Sequence, residues 1–159
     1  MVKLGLYLKV NLENVTDLKP VHEYEWHFKI QCGSCRETDE NWISFNPHDT
    51  VDMPGSRGSA NLVMRCKFCK RESSAQFECG IQAYSAEKNN AFQKIASFDC
   101  RGLELVDFSP RDPWVAEGTE SGTKFEDIDL SEGEWAEYDE KSGEPVGIAE
   151  IEVQFKKEK

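Results

Sequence analysis

From Leu4 to Leu12 every second residue is apolar (Leu4, Leu6, Leu8, Val10, Leu12), and Lys3, Tyr7, Lys9 and Asn11 fall on the other face. A period of two is what a half-buried strand requires, so the chain is predicted to open on a strand. Tyr24, Trp26, Phe28 and Ile30 repeat the alternation and run straight into Cys32. Trp42–Phe45 reads as a short strand, and Leu62, Met64 and Cys66 as another. Phe77, Cys79 and Ile81 read as a continuing strand, and Ala96, Phe98 and Cys100 lead into Leu103, Leu105 and Phe108. Trp135 and Tyr138 on one side of Lys141-Ser-Gly143, and Val146, Ile148, Ile151, Val153 and Phe155 on the other, predict a closing hairpin. Tyr84–Asn90 is a polar turn with room for one helical turn at most, and no stretch keeps a 3.6-residue period over three turns. The expected fold class is all-β.

Two features organise these strands. Pro54-Gly-Ser-Arg57-Gly-Ser59 has the residues of an irregular connection. Val15-Thr-Asp17-Leu18-Lys-Pro20 matches Leu105-Val-Asp107-Phe108-Ser-Pro110 at an offset of 90 residues, each following an apolar strand. The match suggests two related β-sheet or barrel-like halves, about 1–90 and 91–159, within a single domain spanning 1–159.

Composition narrows the function. With 159 residues and 38% hydrophobic content the chain can bury a core without a metal to hold it together. No apolar run is long enough to cross a bilayer, and the N-terminus alternates where a signal peptide would be continuously apolar, so no membrane association is expected. Between Glu117 and Glu152 thirteen acidic residues stand against Lys124 and Lys141, which accounts for the whole net charge of −11. An acidic second half works against phosphate neutralisation, so no nucleic-acid partner is expected. The patch Arg57, Arg65, Lys67, Lys70 and Arg71 is read as solvated and locally compensated.

The candidate chemistry is in the cysteines. Cys32-Gly-Ser-Cys35 and Cys66-Lys-Phe-Cys69 are two Cys-x-x-Cys turns, together the four ligands of a closed tetrahedral zinc site. Zn²⁺ on Cys32, Cys35, Cys66 and Cys69 is the leading reading, ahead of a redox dithiol and an iron–sulfur cluster. Thirty residues separate Cys35 from Cys66, more than in a compact zinc ribbon, so a strand, a loop and a returning strand must be folded between them. Cys79 and Cys100 lie in apolar alternation and are expected as small buried hydrophobes. His22, His27 and His48 share no motif spacing, with His27 on a polar strand face, and Asp127/Asp129 and Glu132/Glu134 are read as a solvated or partner-facing surface.

Taken together these segments resemble the eukaryotic zinc-binding proteins named for their paired CXXC motifs. Besides the two knuckles, the resemblance is carried by Leu12-Glu-Asn14-Val-Thr, Gly55-Ser-Arg57-Gly-Ser-Ala60, Cys100-Arg-Gly-Leu103-Glu-Leu-Val-Asp107-Phe108, Glu117-Gly-Thr-Glu120-Ser-Gly-Thr123 and Tyr138-Asp-Glu140. It implies an all-β fold, one zinc on the four knuckle cysteines and no catalytic activity. A four-thiolate shell leaves no open position for an activated water, so no enzyme is expected. The expectation is a structural-zinc protein, a monomer, working by binding another protein through Arg57 or the acidic segment around Trp135. The alternative is a metal-handling protein that exchanges zinc or another thiophilic metal, with Cys79 or Cys100 as relay thiols. Cysteines read as thiols and ligands place the chain in the cytoplasm, with the nucleus left open.

Overall fold

The structure, a computed structural model, describes residues 2–52, 58–78, 80–111 and 113–158. In chain order the strands are β1 (Val2–Glu13), β2 (Val15–Pro20), β3 (Trp26–Cys32), β4 (Ile43–Phe45), β5 (Val51–Asp52), β6 (Ser59–Ala60), β7 (Leu62–Arg65), β8 (Glu72–Phe77), β9 (Gln93–Arg101), β10 (Leu103–Ser109), β11 (Trp114–Gly118), β12 (Lys124–Ile128), β13 (Trp135–Asp139) and β14 (Glu144–Glu158). A single 3-10 turn, Ala86–Lys88, is the helical content of the described residues, capped by the Ser85 hydroxyl. The fold is all-β, and among the described residues no helix is long and apolar enough to cross a membrane.

β1 and β9 form the centre of a six-stranded sheet ordered β13-β14-β1-β9-β8-β7. Two three-stranded sheets, β10-β3-β4 and β12-β11-β2, pack beside it, and β5 and β6 make a small hairpin. The alternation of β1 translates directly into burial, because Leu4, Leu6, Leu8, Val10 and Leu12 all face the core. That core is continuous from β1 to β14 and centred on aromatic rings. Phe28 lies within 5.2–5.4 Å of Phe45, Phe98 and Phe108 by ring centroid, and Trp26 meets Phe77 edge-on at 5.3 Å. At one end the Trp114 indole donates to the Arg111 carbonyl at 2.8 Å and reaches the Tyr24 hydroxyl at 3.2 Å, so both buried polar tips are paired.

The pairing has an internal two-fold logic. Exchanging β1 with β9, β2 with β10, β3 with β11, β4 with β12, β7 with β13 and β8 with β14 leaves every pairing outside the β5–β6 hairpin unchanged. Registers follow the same rule: Cys32 faces Leu103 as Gly118 faces Val15, and Ser74 faces Arg101 as Gly147 faces Glu13. The sequence match between 15–20 and 105–110 therefore falls on exchange partners, β2 and β10, but two residues out of register. Val15 corresponds to Leu103, an offset of 88. A two-residue slip keeps the same strand face, which is why the apolar pattern matched regardless.

Two further expectations are corrected. The strand predicted through Phe77, Cys79 and Ile81 ends at Phe77 as a regular element, and Cys79 lies outside the described residues. Among the described residues beyond it, isolated bonds to β9 continue, Glu78 N–H to the Ser97 carbonyl at 2.9 Å and Gln82 N–H to the Ile95 carbonyl at 2.8 Å. Tyr84 is not part of a polar turn. It is fully buried, its hydroxyl donates to the Ala91 carbonyl at 2.7 Å and accepts from the Val10 amide at 3.2 Å, tying the turn to β1.

Candidate metal centre

The first knuckle grows from the end of β3. Cys32 closes the strand, the Arg36 amide returns to the Cys32 carbonyl at 3.1 Å, and Cys32 N–H donates to the Glu37 carbonyl at 2.9 Å. The second is built the same way just past β7, with Lys70 N–H on the Cys66 carbonyl at 2.9 Å and Cys66 N–H on the Arg71 carbonyl at 2.9 Å. Each turn is closed by a left-handed residue, Arg36 at φ 65° and Lys70 at φ 67°. Such a conformation costs a non-glycine residue about 1–2 kcal/mol, which the surrounding turn must offset. No glycine marks these positions, so neither was foreseeable from the sequence.

These turns bring Cys32, Cys35, Cys66 and Cys69 together, with all four sulfurs within 4.8 Å of one another. Cys32 Sγ lies 3.6 Å from Cys69 Sγ and Cys35 Sγ 3.7 Å from Cys66 Sγ. Four sulfurs about 2.3 Å from a central zinc stand about 3.8 Å apart along each tetrahedral edge, so the donor set matches zinc in number and type, and the Cys32–Cys69 and Cys35–Cys66 separations match that edge. Among the described residues it is the one group of three or more potential metal-ligating side chains this close.

Local electrostatics prepare these sulfurs for a cation. Backbone N–H groups of Cys35 and Ser34 point at Cys32 Sγ, Ser34 at 3.4 Å, and pull that thiol down to about 6. The amides of Cys69 and Phe68 lower Cys66 in the same way. At Cys35 the Glu37 amide favours the thiolate, but burial and the neighbouring thiols outweigh it and push the thiol up to about 12. Backbone dipoles thus favour thiolates at Cys32 and Cys66, and ionising Cys35 in a cluster this tight calls for a central positive charge.

Side chains and strands fasten the knuckles to each other. Lys67, inside the second turn, pairs with Asp39 beyond the first at 3.3 Å. Gly102, between β9 and β10, accepts from the Gly33 amide at 2.9 Å and sits at φ +81°, where an added Cβ would lie 3.1 Å from Ser73 Cβ. A side chain here would be strained by the positive φ and pressed against Ser73, so glycine suits this close approach between the first knuckle and β8.

The remaining candidates are dispersed. Cys100 is fully buried in β9, as expected, and burial with Asp99 and Glu104 nearby pushes its thiol up to about 12. Arg57 lies outside the described residues. Arg65 pairs with Glu72 at 3.0 Å and Lys67 with Asp39, so much of the basic patch is compensated. Asp129 receives the Ser131 amide at 2.9 Å, an ordinary turn contact. His27 is half-buried rather than solvated, and desolvation together with Arg111 lowers its pKa. His22 and His48 pack with ring centroids 4.2 Å apart, and His48 Nε2 lies 2.8 Å from the His22 carbonyl, a pairing their 26-residue separation conceals. Trp135 packs edge-on against Phe125 at 5.6 Å and borders a groove of about 500 Å³ shared with Glu13, Glu132, Glu134 and Glu137.

Similarity to known proteins extends over nearly the whole chain. The family model described as "CXXC motif containing zinc binding protein, eukaryotic" matches residues 5–156. A rat protein named CXXC motif containing zinc binding protein is 49% identical, over 99% of both chains. The crystal structure of C1orf123 superimposes with a TM-score of 0.92 at 48% identity, covering 98% of this chain and 99% of that one. A hypothetical protein from Plasmodium falciparum superimposes with a TM-score of 0.88 at 32% identity, covering 98% and 100%.

Proposed function

The chain belongs to the eukaryotic CXXC motif containing zinc binding protein family, and on that premise we propose that it is a structural-zinc β-protein whose work is to bind another protein. One observation carries the first part: four thiols within 4.8 Å of one another, two pairs of them at 3.6 and 3.7 Å, on two turns from different sheets. Bound there, zinc cross-links the end of β3 to the β7–β8 turn, and its binding free energy becomes folding free energy. With four protein ligands the shell is closed, which supports a non-catalytic role.

The protein-binding part draws on the groove beside Trp135. It lies along β13, the outer strand of the six-stranded sheet, with carboxylates on its rim and exposed Tyr138 on the same strand. An outer strand with a half-buried aromatic ring and acidic surroundings suits a basic, extended segment of a partner. The metal-handling alternative draws on one feature, the partial exposure of Cys35 and Cys69, which leaves one sulfur of each knuckle within reach of a competing thiol. Cys100 is too deeply buried to serve as the relay.

Elemental analysis of protein purified without added metal, followed by transfer of its zinc to a chromogenic chelator, separates the two. A structural role predicts one zinc per chain retained for hours. Loss within minutes from a chain that stays folded would favour metal exchange. A photo-crosslinking residue at Tyr138 should join the same protein in repeated cell extracts, and the product should vanish when Glu132 and Glu134 become Lys. A product indifferent to that charge reversal would remove the groove from the proposal.

A further inference from the structure

The two-fold exchange has a consequence at the knuckles. The turn after β3 corresponds to the turn after β11, and the turn after β7 to that after β13. Gly122 N–H returns to the Gly118 carbonyl at 3.0 Å and Gly118 N–H donates to the Thr123 carbonyl at 2.8 Å, the same two bonds that Arg36, Cys32 and Glu37 make. Gly143 N–H returns to the Asp139 carbonyl at 2.8 Å, and Asp139 pairs with Glu144 in the β13–β14 register, as Lys70, Cys66 and Arg71 do. Left-handed residues recur at the same places, Gly122 at φ 70° and Gly143 at φ 72° against Arg36 and Lys70. The anchoring bond from Gly33 to Gly102 also has its counterpart, Thr119 N–H to the Asn14 carbonyl at 3.0 Å. By position, Gly118, Ser121, Asp139 and Ser142 therefore stand where Cys32, Cys35, Cys66 and Cys69 stand.

Side chains at these positions form a cross-link of their own. The Ser121 hydroxyl donates to Asp139 Oδ2, where Cys35 faces Cys66 in the other half. Thr123 Oγ1 donates to Asp139 Oδ1 at 3.0 Å, and the amides of Lys141 and Ser142 reach the same oxygen at 3.0 and 3.5 Å. Those amides are two and three residues past Asp139, just as the Phe68 and Cys69 amides that lower Cys66 are two and three past it. Asp139 is 2% exposed, and the Ser121 hydroxyl first, then Thr123 and the two amides, outweigh its burial and hold its carboxyl below the usual range. At the fourth position an added Cβ on Gly118 would lie 2.7 Å from Ser121 Oγ and 2.8 Å from Asp139 Oδ2, so the space of a side chain there is filled by the cross-link itself.

We propose that the turns after β11 and β13 are a second knuckle pair on the same backbone plan, in which the buried Asp139 carboxylate and its hydroxyl donors replace a metal as the cross-link. The C-terminal half is then closed without a cation. Its backbone remains competent for a thiophilic, tetrahedral cation once the four side chains are thiols. This rests on the two-fold pairing and the Asp139 contacts and stands whichever metal, if any, the first pair holds.

The test is the full chain carrying Gly118→Cys, Ser121→Cys, Asp139→Cys and Ser142→Cys, titrated with cobalt(II) and then zinc. Of the two atoms that crowd a side chain at position 118, these substitutions remove Asp139 Oδ2 and exchange Ser121 Oγ for a sulfur that joins the site. Expected is one more equivalent of tetrahedral, thiolate-bound cobalt than the parent takes up, displaced by zinc. A folded variant that binds no more than the parent would overturn the proposal. If the variant does not fold, amide exchange in Asp139→Ala decides. Protection at Gly118, Gly122 and Gly143 should fall at least about tenfold, with β3 and β7 unchanged, whereas undiminished protection would show that Asp139 is no cross-link.

Discussion

On the structural-zinc proposal, stripping the metal with a chelator removes a cross-link between positions 35 and 66, and the loop between them sets the size of the effect. Those residues are 31 apart in sequence, and closing a loop of that length costs an unfolded chain about 3.7 kcal/mol by the chain-entropy relation used for covalent and metal clips. The rest of the fold is not at stake, because β1, β9 and β14 bury a core continuous without the knuckles. The chain should therefore stay folded after chelation and melt about 7–15 °C lower, since 1 kcal/mol shifts the midpoint of a chain this size by roughly 2–4 °C. Circular dichroism melts with and without chelator measure the shift. Cys66→Ser should begin at the lowered midpoint and show no further response, because it has no site left to strip. Amide exchange should place the loss at β3, β4, β7 and β8. A chelator that removes the metal yet moves the midpoint by less than about 2 °C would refute the cross-link argument. So would a Cys66→Ser variant that still loses stability on chelation.

Three other outcomes follow from particular contacts. Gly102→Ala should cost about 1–3 kcal/mol, because it forces a side chain into φ +81° against Ser73, and it should speed metal release; an unchanged melt and release rate would count against the close approach. Tyr84→Phe removes a buried hydroxyl that serves Ala91 and Val10, so a loss of about 1–3 kcal/mol is expected in urea melts, and a neutral result would deny that bond. Burial and nearby carboxylates raise the Cys100 thiol to about 12. A thiol raised in the folded state contributes evenly below its unfolded value near 9 and loses that contribution as pH climbs toward 12. Native protein at pH 8 should leave Cys100 unalkylated while unfolded protein reacts, as mass spectrometry of the labelled peptide would report.

Period-two alternation identified β1, β3, β9 and β14 because each sets one face on the core over many residues. It failed at β11 and β12, five-residue strands too short for a period to stand out: in β11 the apolar Trp114, Val115 and Ala116 run consecutively, and in β12 Phe125 is followed by Glu126 and Asp127. The paired cysteines were readable because their chemistry is local. What holds them in place was not, since Arg36 and Lys70 adopt left-handed turns with no glycine to announce them. Nor does a sequence display strand exchange. The match between 15–20 and 105–110 pointed to the right strands, but a shared face cannot distinguish an offset of 90 from the observed 88. Gly118, Ser121 and Asp139 look like ordinary turn residues until the two-fold pairing sets them against Cys32, Cys35 and Cys66.

X-ray absorption at the zinc edge, on full-length protein purified with its own metal, tests the central claim most directly. Four sulfur neighbours near 2.3 Å in the parent chain are the predicted result. A nitrogen or oxygen neighbour near 2.0 Å in the parent chain would contradict the closed four-thiolate site.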